Sequence, residues 1–185
     1  MTELDFPLEG STLIVGPSQA GKTQLTARAM EAWIEREGQR DVVLLEFGPE
    51  YDRDGTILGR WLERYTDIPT DVWIGRVDAH APRAESESQA EMRELARENA
   101  MAAADRLADA PAAPAAVFVN DVTIGYQHAP ESVEQLLDYC DTAETAVLNA
   151  FESDELGTDN PVSVRERDVV QGLRAWADRT IPLGD

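Results

Sequence analysis

Lysine is almost missing from this chain: 15 of its 16 basic residues are arginine, and Lys22 is the one lysine among 185 residues. A single cysteine, Cys140, excludes an internal disulfide and any cysteine-built zinc site. Its place at the end of an expected helix, Tyr139-Cys140-Asp141, reads as that of a small hydrophobe. The two histidines, His80 and His128, have no cysteine beside them and fall in expected loops, so they make a poor metal set. Aromatic residues are 6% of the chain, which leaves Val, Leu, Ile and Ala to build the core. No apolar run approaches the roughly 20 residues that cross a bilayer. Met1-Thr2-Glu3-Leu4-Asp5 lacks the basic and apolar regions of a leader. A cytoplasmic protein with no membrane partner is the expectation.

What is abundant is acid. The formal net charge is -20, with acidic and basic residues mixed along the chain rather than gathered in a tail. Phosphate backbones need clustered Lys and Arg, so nucleic acid is not an expected partner. High acidity with lysine nearly eliminated resembles the proteins of extreme halophiles, where dissolved salt screens self-repulsion. A chain that avoids lysine everywhere else keeps Lys22.

Apolar periodicity and chain breakers alternate between strand and helix. Strands are expected at Thr12–Val15, Val42–Leu45, Val72–Val77, Ala116–Val119 and from Ala146. Helices are expected over Thr23–Glu37, Ala84–Leu107, Pro130–Cys140 and Val164–Arg179, the last with Val169, Val170, Leu173 and Trp176 on one face. Continuous apolar strands separated by helices predict a parallel sheet covered on both faces, an α/β three-layer fold in one domain over residues 1–185.

The first strand runs straight into Gly16-Pro17-Ser18-Gln19-Ala20-Gly21-Lys22-Thr23, which fits G-x-x-x-x-G-K-[ST] and opens the first helix. By average composition that pattern arises by chance in under about one chain in a hundred of this length. Its chemistry is explicit. Gly16 permits the turn and Gly21 lets backbone approach an anion. Successive N–H groups of Ser18, Gln19, Ala20, Gly21, Lys22 and Thr23, with Gln24 beyond them, surround phosphate oxygens. Lys22 reaches the β- and γ-phosphates, and the Thr23 hydroxyl is the expected Mg²⁺ ligand.

Such a site also needs a carboxylate near the metal and the attacking water. Val117-Phe118-Val119-Asn120-Asp121 supplies one at a strand end. Asn120 stands where the metal-supporting acid commonly lies, and Asp121 one step beyond. Asp121 therefore reads either as a metal or water ligand or as a cap for the following turn. Glu46, at the end of Val42-Val43-Leu44-Leu45, is the second candidate for catalysis, beside the rigid-looking Phe47-Gly48-Pro49-Glu50. Asp78 is a third. Arg53, Arg60, Arg83 and Arg165 lie in or beside loops, with surface ion pairing as the default. Asn149-Ala150-Phe151-Glu152 keeps only the first defining residue of the guanine-reading N-K-x-D, which leaves ATP favoured over GTP.

The glycine loop resembles that of the P-loop NTPase superfamily. The acidic strand end near 120, about 100 residues after the loop, resembles the RecA-like branch, with an extra strand between. Length, Asn120-Asp121, Pro130-Glu131 and a final strand weakly resemble the adenosylcobinamide kinase/guanylyltransferase family, whose guanylylated histidine has only a loose positional match in His80. These resemblances imply a nucleotide partner, ATP or GTP, with Mg²⁺. They also imply hydrolysis or phosphoryl transfer to a small-molecule acceptor. The other reading is a slowly hydrolysing switch that acts through a protein partner.

If the acidity is an adaptation to salt, the thermal midpoint should rise by roughly 5 to 10 °C between about 0.1 and 2 M KCl. A midpoint indifferent to salt in circular dichroism melts would separate the composition from that cause.

Overall fold

Successive residues of a buried strand face opposite sides of its sheet, and in this chain both sides are apolar. The computed structural model describes residues 3–184, with the side chains of Arg53 and Leu58 excepted. Its elements run β1 (Gly10–Gly16), α1 (Lys22–Glu37), β2 (Val42–Glu46), β3 (Tyr51–Arg53) and β4 (Thr56–Leu58). There follow β5 (Trp73–Arg76), α2 (Pro82–Glu85), α3 (Gln89–Asp109), β6 (Ala116–Asn120), α4 (Val133–Cys140), β7 (Thr145–Phe151), α5 (Pro161–Trp176) and β8 (Arg179–Pro182).

Six strands form one sheet in the order β5-β2-β6-β7-β1-β8, and every pairing in it is parallel. The order places β7 between β1 and β6. One face carries Ile14, Val42, Leu44, Phe118 and Val147 against Ala27, Met30 and Trp33 of α1, with Phe6, Leu8, Leu62 and Val72 closing the layer. The other carries Leu13, Val15, Val43, Leu45, Val117, Val119 and Leu148 against Ala103 of α3, Leu136 and Cys140 of α4, and Val169, Val170 and Leu173 of α5. This is the α/β three-layer arrangement expected from the alternating pattern. Cys140 is buried, and its thiol is pushed well above the usual range by that burial. Among the described residues no helix is long and apolar enough to cross a membrane.

The elements depart from the sequence expectation most clearly at three places. The helix expected over Ala84–Leu107 is two helices, α2 and α3. Ser88 caps α3 by accepting the Glu91 N–H at 3.1 Å, and the Glu91 carboxylate accepts the Glu87 N–H at 2.7 Å. That pairing is a variant of the capping box, written in the sequence as Ser88-x-x-Glu91. The last helix starts at Pro161, with Asn160 accepting the Ser163 N–H, and stops at Trp176. The residues after it form β8, held to β1 by Asp178 accepting from the Ser11 N–H at 2.8 Å and by Arg179 donating to Thr12 Oγ1 at 2.8 Å. Third, β3 and β4 make an antiparallel hairpin over Asp54-Gly55, whose φ values of 52° and 82° are those of a tight hairpin turn.

The packing of Phe118, wholly buried in the α1 layer, sets a stability test. Phe118→Ala should lower the unfolding free energy by about 3–5 kcal/mol through lost burial and a cavity. A chemical-denaturation loss under about 1 kcal/mol would show that the α1 layer collapses freely around the gap.

Candidate functional site

The carboxyl ends of four parallel strands line up. Gly16 of β1 pairs with Phe151 of β7, and Glu46 of β2 pairs with Asn120 of β6. Beyond β1 the chain turns through Pro17–Gly21 and enters α1, with Gln19 at φ 61° and Gly21 at φ 94°. Gly21 has no neighbour that a Cβ would strike, so what calls for glycine there is its left-handed backbone. Gly16 is different: a Cβ there would lie 2.6 Å from the Leu183 carbonyl oxygen. Lys22 begins α1 with 7% of its surface exposed, and its Nζ donates to the Pro17 carbonyl at 2.5 Å. Burial lowers its pKa, against the opposing fields of Asp121, Glu155 and Glu166. A cavity over the loop is lined by Ser18, Gln19, Gly21, Lys22, Thr23 and Gln24. Asp121, Phe151, Tyr65, Arg60, Gly59 and the hairpin's Ile57 complete its wall.

Beneath the loop the α1 face of the sheet ends in polar residues where the alternation would place apolar ones. Glu46, Asn120 and Asn149 have the parity of Leu44, Phe118 and Val147, and all three are fully buried. They form one network. Asn120 donates to Glu46 Oε2 at 2.8 Å and to the Arg60 carbonyl at 2.7 Å. Its Oδ1 accepts from the Thr23 hydroxyl at 3.2 Å and from Asn149 Nδ2 at 2.9 Å. Asn149 also donates to the Thr26 hydroxyl at 2.8 Å, and its Oδ1 accepts the Asp121 N–H at 2.8 Å. Thr26 in turn donates to the Lys22 carbonyl at 2.9 Å. Glu46 Oε1 accepts the Leu62 N–H at 2.7 Å.

This explains why residue 120 is an amide. Two of its four bonds are donated, one of them to a carboxylate, and an aspartate could make neither. Glu46 lies behind Asn120, lines neither cavity at this edge, and reaches Thr23 only through that amide. Burial pushes its carboxyl up to about 7, against the Leu62 N–H and the Asn120 amide, which favour the charged form.

Asp121 is the carboxylate that faces the loop. It follows β6 at φ 52°, a left-handed conformation held by Asn149 and permitted by two close glycines. A Cβ on Gly48 would overlap the Asp121 carboxylate, and one on Gly59 would meet the Pro49 carbonyl beside it. The loop Phe47-Gly48-Pro49-Glu50 is thus packed onto the site, and Glu50 is fastened to Arg64 at 2.8 Å. Burial pushes the Asp121 carboxyl up to about 6, Lys22 pulling it down and Glu166 adding to the rise.

A second cavity of about 340 Å³ adjoins the first and shares Ser18, Gly59, Asp121 and Phe151 with it. Its polar floor belongs to Glu166 of α5, which accepts from Arg83 Nη1 at 2.7 Å, the Thr123 hydroxyl at 2.7 Å and Gln127 Nε2 at 2.8 Å. Gln127 is fully buried, and its Oε1 has no protein partner. Phe151 lies close to both cations, with Lys22 5.9 Å and Arg83 5.2 Å from its ring centre.

The structure therefore gathers Gly16, Ser18, Gln19, Ala20, Gly21, Lys22, Thr23, Gln24 and Asp121 at one edge, with Glu46 behind them. Asp78 is exposed and lines neither cavity, and His80 pairs with Glu98 at 2.8 Å. Of the four arginines, Arg83 and Arg60 reach the cavities, Arg165 does not, and the Arg53 side chain lies outside the described residues. Sequence reading missed the network roles of Asn149 and Thr26 and the Arg83–Glu166–Gln127 cluster. For Asn149 a signal existed: a polar residue at the inward parity of an otherwise apolar strand. Among the described residues no three His, Cys, Asp or Glu side chains form a ready metal cluster. Compared with known protein families and with curated protein sequences, the chain matches none.

Asp121 carries a pH test. Its folded pKa of about 6 exceeds the ordinary 3.8, so the folded state binds its proton more tightly than the unfolded state does. Its contribution to stability is complete below about pH 4 and is lost as pH rises through about 6. Asp121→Asn removes that loss, so the stability of the variant relative to wild type should climb from pH 4 to pH 8. A difference flat with pH in parallel urea titrations would mean that Asp121 titrates normally.

Proposed function

We propose that this chain binds a nucleoside triphosphate, ATP in preference to GTP, and hydrolyses it or passes its terminal phosphoryl group to a small acceptor. One observation carries the reading. The chain's single lysine is buried at the first position of α1, its Nζ folded back onto the Pro17 carbonyl of a loop that leaves the carboxyl edge of a parallel sheet. Open parallel sheets bind ligands at that edge, and a helix N-terminus favours anions. The strand order adds support, since β7 between β1 and β6 is the insertion that a RecA-like relationship implies.

Mg²⁺ fits the residues present. It takes few protein oxygens and keeps phosphate and water for the rest of its shell. The Thr23 hydroxyl, oriented by Asn120, would hold it, and Asp121 would meet its water. Bound there, the ion neutralises charge developing on the phosphates. The chain itself does the remainder. Backbone N–H groups fix the phosphates, Lys22 leaves Pro17 for their oxygens, and Asp121 accepts a proton from the attacking water or hydroxyl. Glu46 positions Asn120. The reading implies the cytoplasm, where such nucleotides are available.

A second reading, a slowly hydrolysing switch acting through a protein partner, is favoured by Asn120. A carboxylate at that strand end would pull directly on the metal or its water, whereas this amide is fully spent on its neighbours.

Binding of ATP and GTP, with and without Mg²⁺ in molar KCl, tests the proposal. Lys22→Ala should weaken triphosphate binding on the order of 100-fold. Asp121→Asn should keep binding and lower turnover about 100-fold. Steady turnover alone identifies a hydrolase, turnover only with an added acceptor a kinase, and tight binding with almost no turnover the switch. Wild type that binds neither nucleotide in any salt would sink the proposal.

A further inference from the structure

One anion already rests on the phosphate loop. The Ser18 N–H donates to Glu155 Oε1 at 2.7 Å, across 137 residues of chain. Glu155 belongs to the turn between β7 and α5. Ser18 is the loop residue that lines both cavities, and it does so together with Asp121. That marks the Ser18 end as the end facing the reacting groups, where the terminal phosphate of a bound triphosphate projects. The inner phosphates belong at the opposite end, over Gly21, Lys22 and Thr23 at the start of α1. Glu155 is also among the three carboxylates whose field reaches Lys22.

We propose that Glu155 determines selectivity between triphosphate and diphosphate, by standing in for the terminal phosphate at Ser18. The inference rests on the nucleotide-binding reading above. A terminal phosphate and the Glu155 carboxylate are both anions that need the same N–H, so they exclude each other by charge and by contact. A diphosphate leaves Ser18 to Glu155. A triphosphate evicts it.

The turn is built to yield. It is anchored at Glu152 by an exposed pair with Arg174 at 2.5 Å, and at Asn160 by the cap of α5. Between those anchors Glu155 and Leu156 are exposed, and Gly157 turns at φ 91°. Around Glu155 the contacts are local: Ser153 Oγ accepts the Glu155 N–H at 3.1 Å, and the Asp154 carbonyl accepts the Gly157 N–H at 3.0 Å. The turn is tied to α5 further on, where Arg167 donates to the Thr158 carbonyl at 2.6 Å. Evicting Glu155 therefore disturbs one exposed turn, which also forms a wall of the second cavity through Glu155 and Leu156. Triphosphate would thus reshape that cavity and diphosphate would not.

The test compares the affinities of ATPγS and ADP, with Mg²⁺ in molar KCl, for wild type, Glu155→Gln and Glu155→Ala. Removing the charge should tighten ATPγS by about tenfold and leave ADP within about twofold. In wild type, hydrogen exchange over residues 152–158 should quicken with ATPγS and stay unchanged with ADP. If both nucleotides shift equally, or neither shifts, while wild type binds them, Glu155 is an ordinary loop contact and the inference is overturned. If wild type binds neither nucleotide, the phosphate-loop reading fails and this inference falls with it. Each variant's melting curve shows whether it remains folded.

Discussion

Asn120 lies where β6 ends under the first turn of α1, and four hydrogen bonds leave its side chain in four directions. They reach Glu46 on β2, the Arg60 carbonyl in the segment after the hairpin, Asn149 on β7 and Thr23 on α1. An unpartnered polar atom at that depth costs about 1–3 kcal/mol, so the set is stable only when complete. Completeness locks geometry. With Asn149 bonded to both Thr26 and the Asp121 N–H, the helix that carries Lys22 and the strand end that carries Asp121 are referred to one buried frame.

The electrostatics follow from that frame. Lys22 is the buried cation of the loop, and the fields of Asp121, Glu155 and Glu166 reach it. Burial raises the Asp121 carboxyl, and its own field would cost more without Lys22 nearby. Arg83 balances Glu166 at 2.7 Å, and the Phe151 ring lies close to both Arg83 and Lys22. A chain with net charge -20 places its few buried cations where buried carboxylates need them.

The two cavities meet at Asp121 and Ser18, and different elements supply their walls. The loop cavity takes its roof from the hairpin and the residues after it, the second cavity from α2, α5 and the Phe151–Asn160 turn. Glu166 ties α5 to Thr123 and Gln127, both of which follow Asp121 closely in the chain. A shift at Asp121 therefore has a short mechanical path to α5, through hydrogen bonds that are nearly buried.

Local pattern alone determined a good deal of this protein. Buried strands announce themselves by unbroken apolar runs, the end of α1 by Gly38, and the turn between β1 and α1 by the fixed spacing of Gly16, Gly21, Lys22 and Thr23. Each of these depends on neighbours a few residues away. The Asp54-Gly55 hairpin and the Ser88 cap were equally local, and legible in principle. Other features needed the fold. Asn120 is an amide because Glu46 lies 2.8 Å away on another strand, and Glu46 is screened from the loop for the same reason. Glu155 meets Ser18 because β7 pairs with β1 and delivers its following turn onto the loop. Sequence spacing carries no information about such meetings, since register and strand order are set by burial summed over the whole sheet.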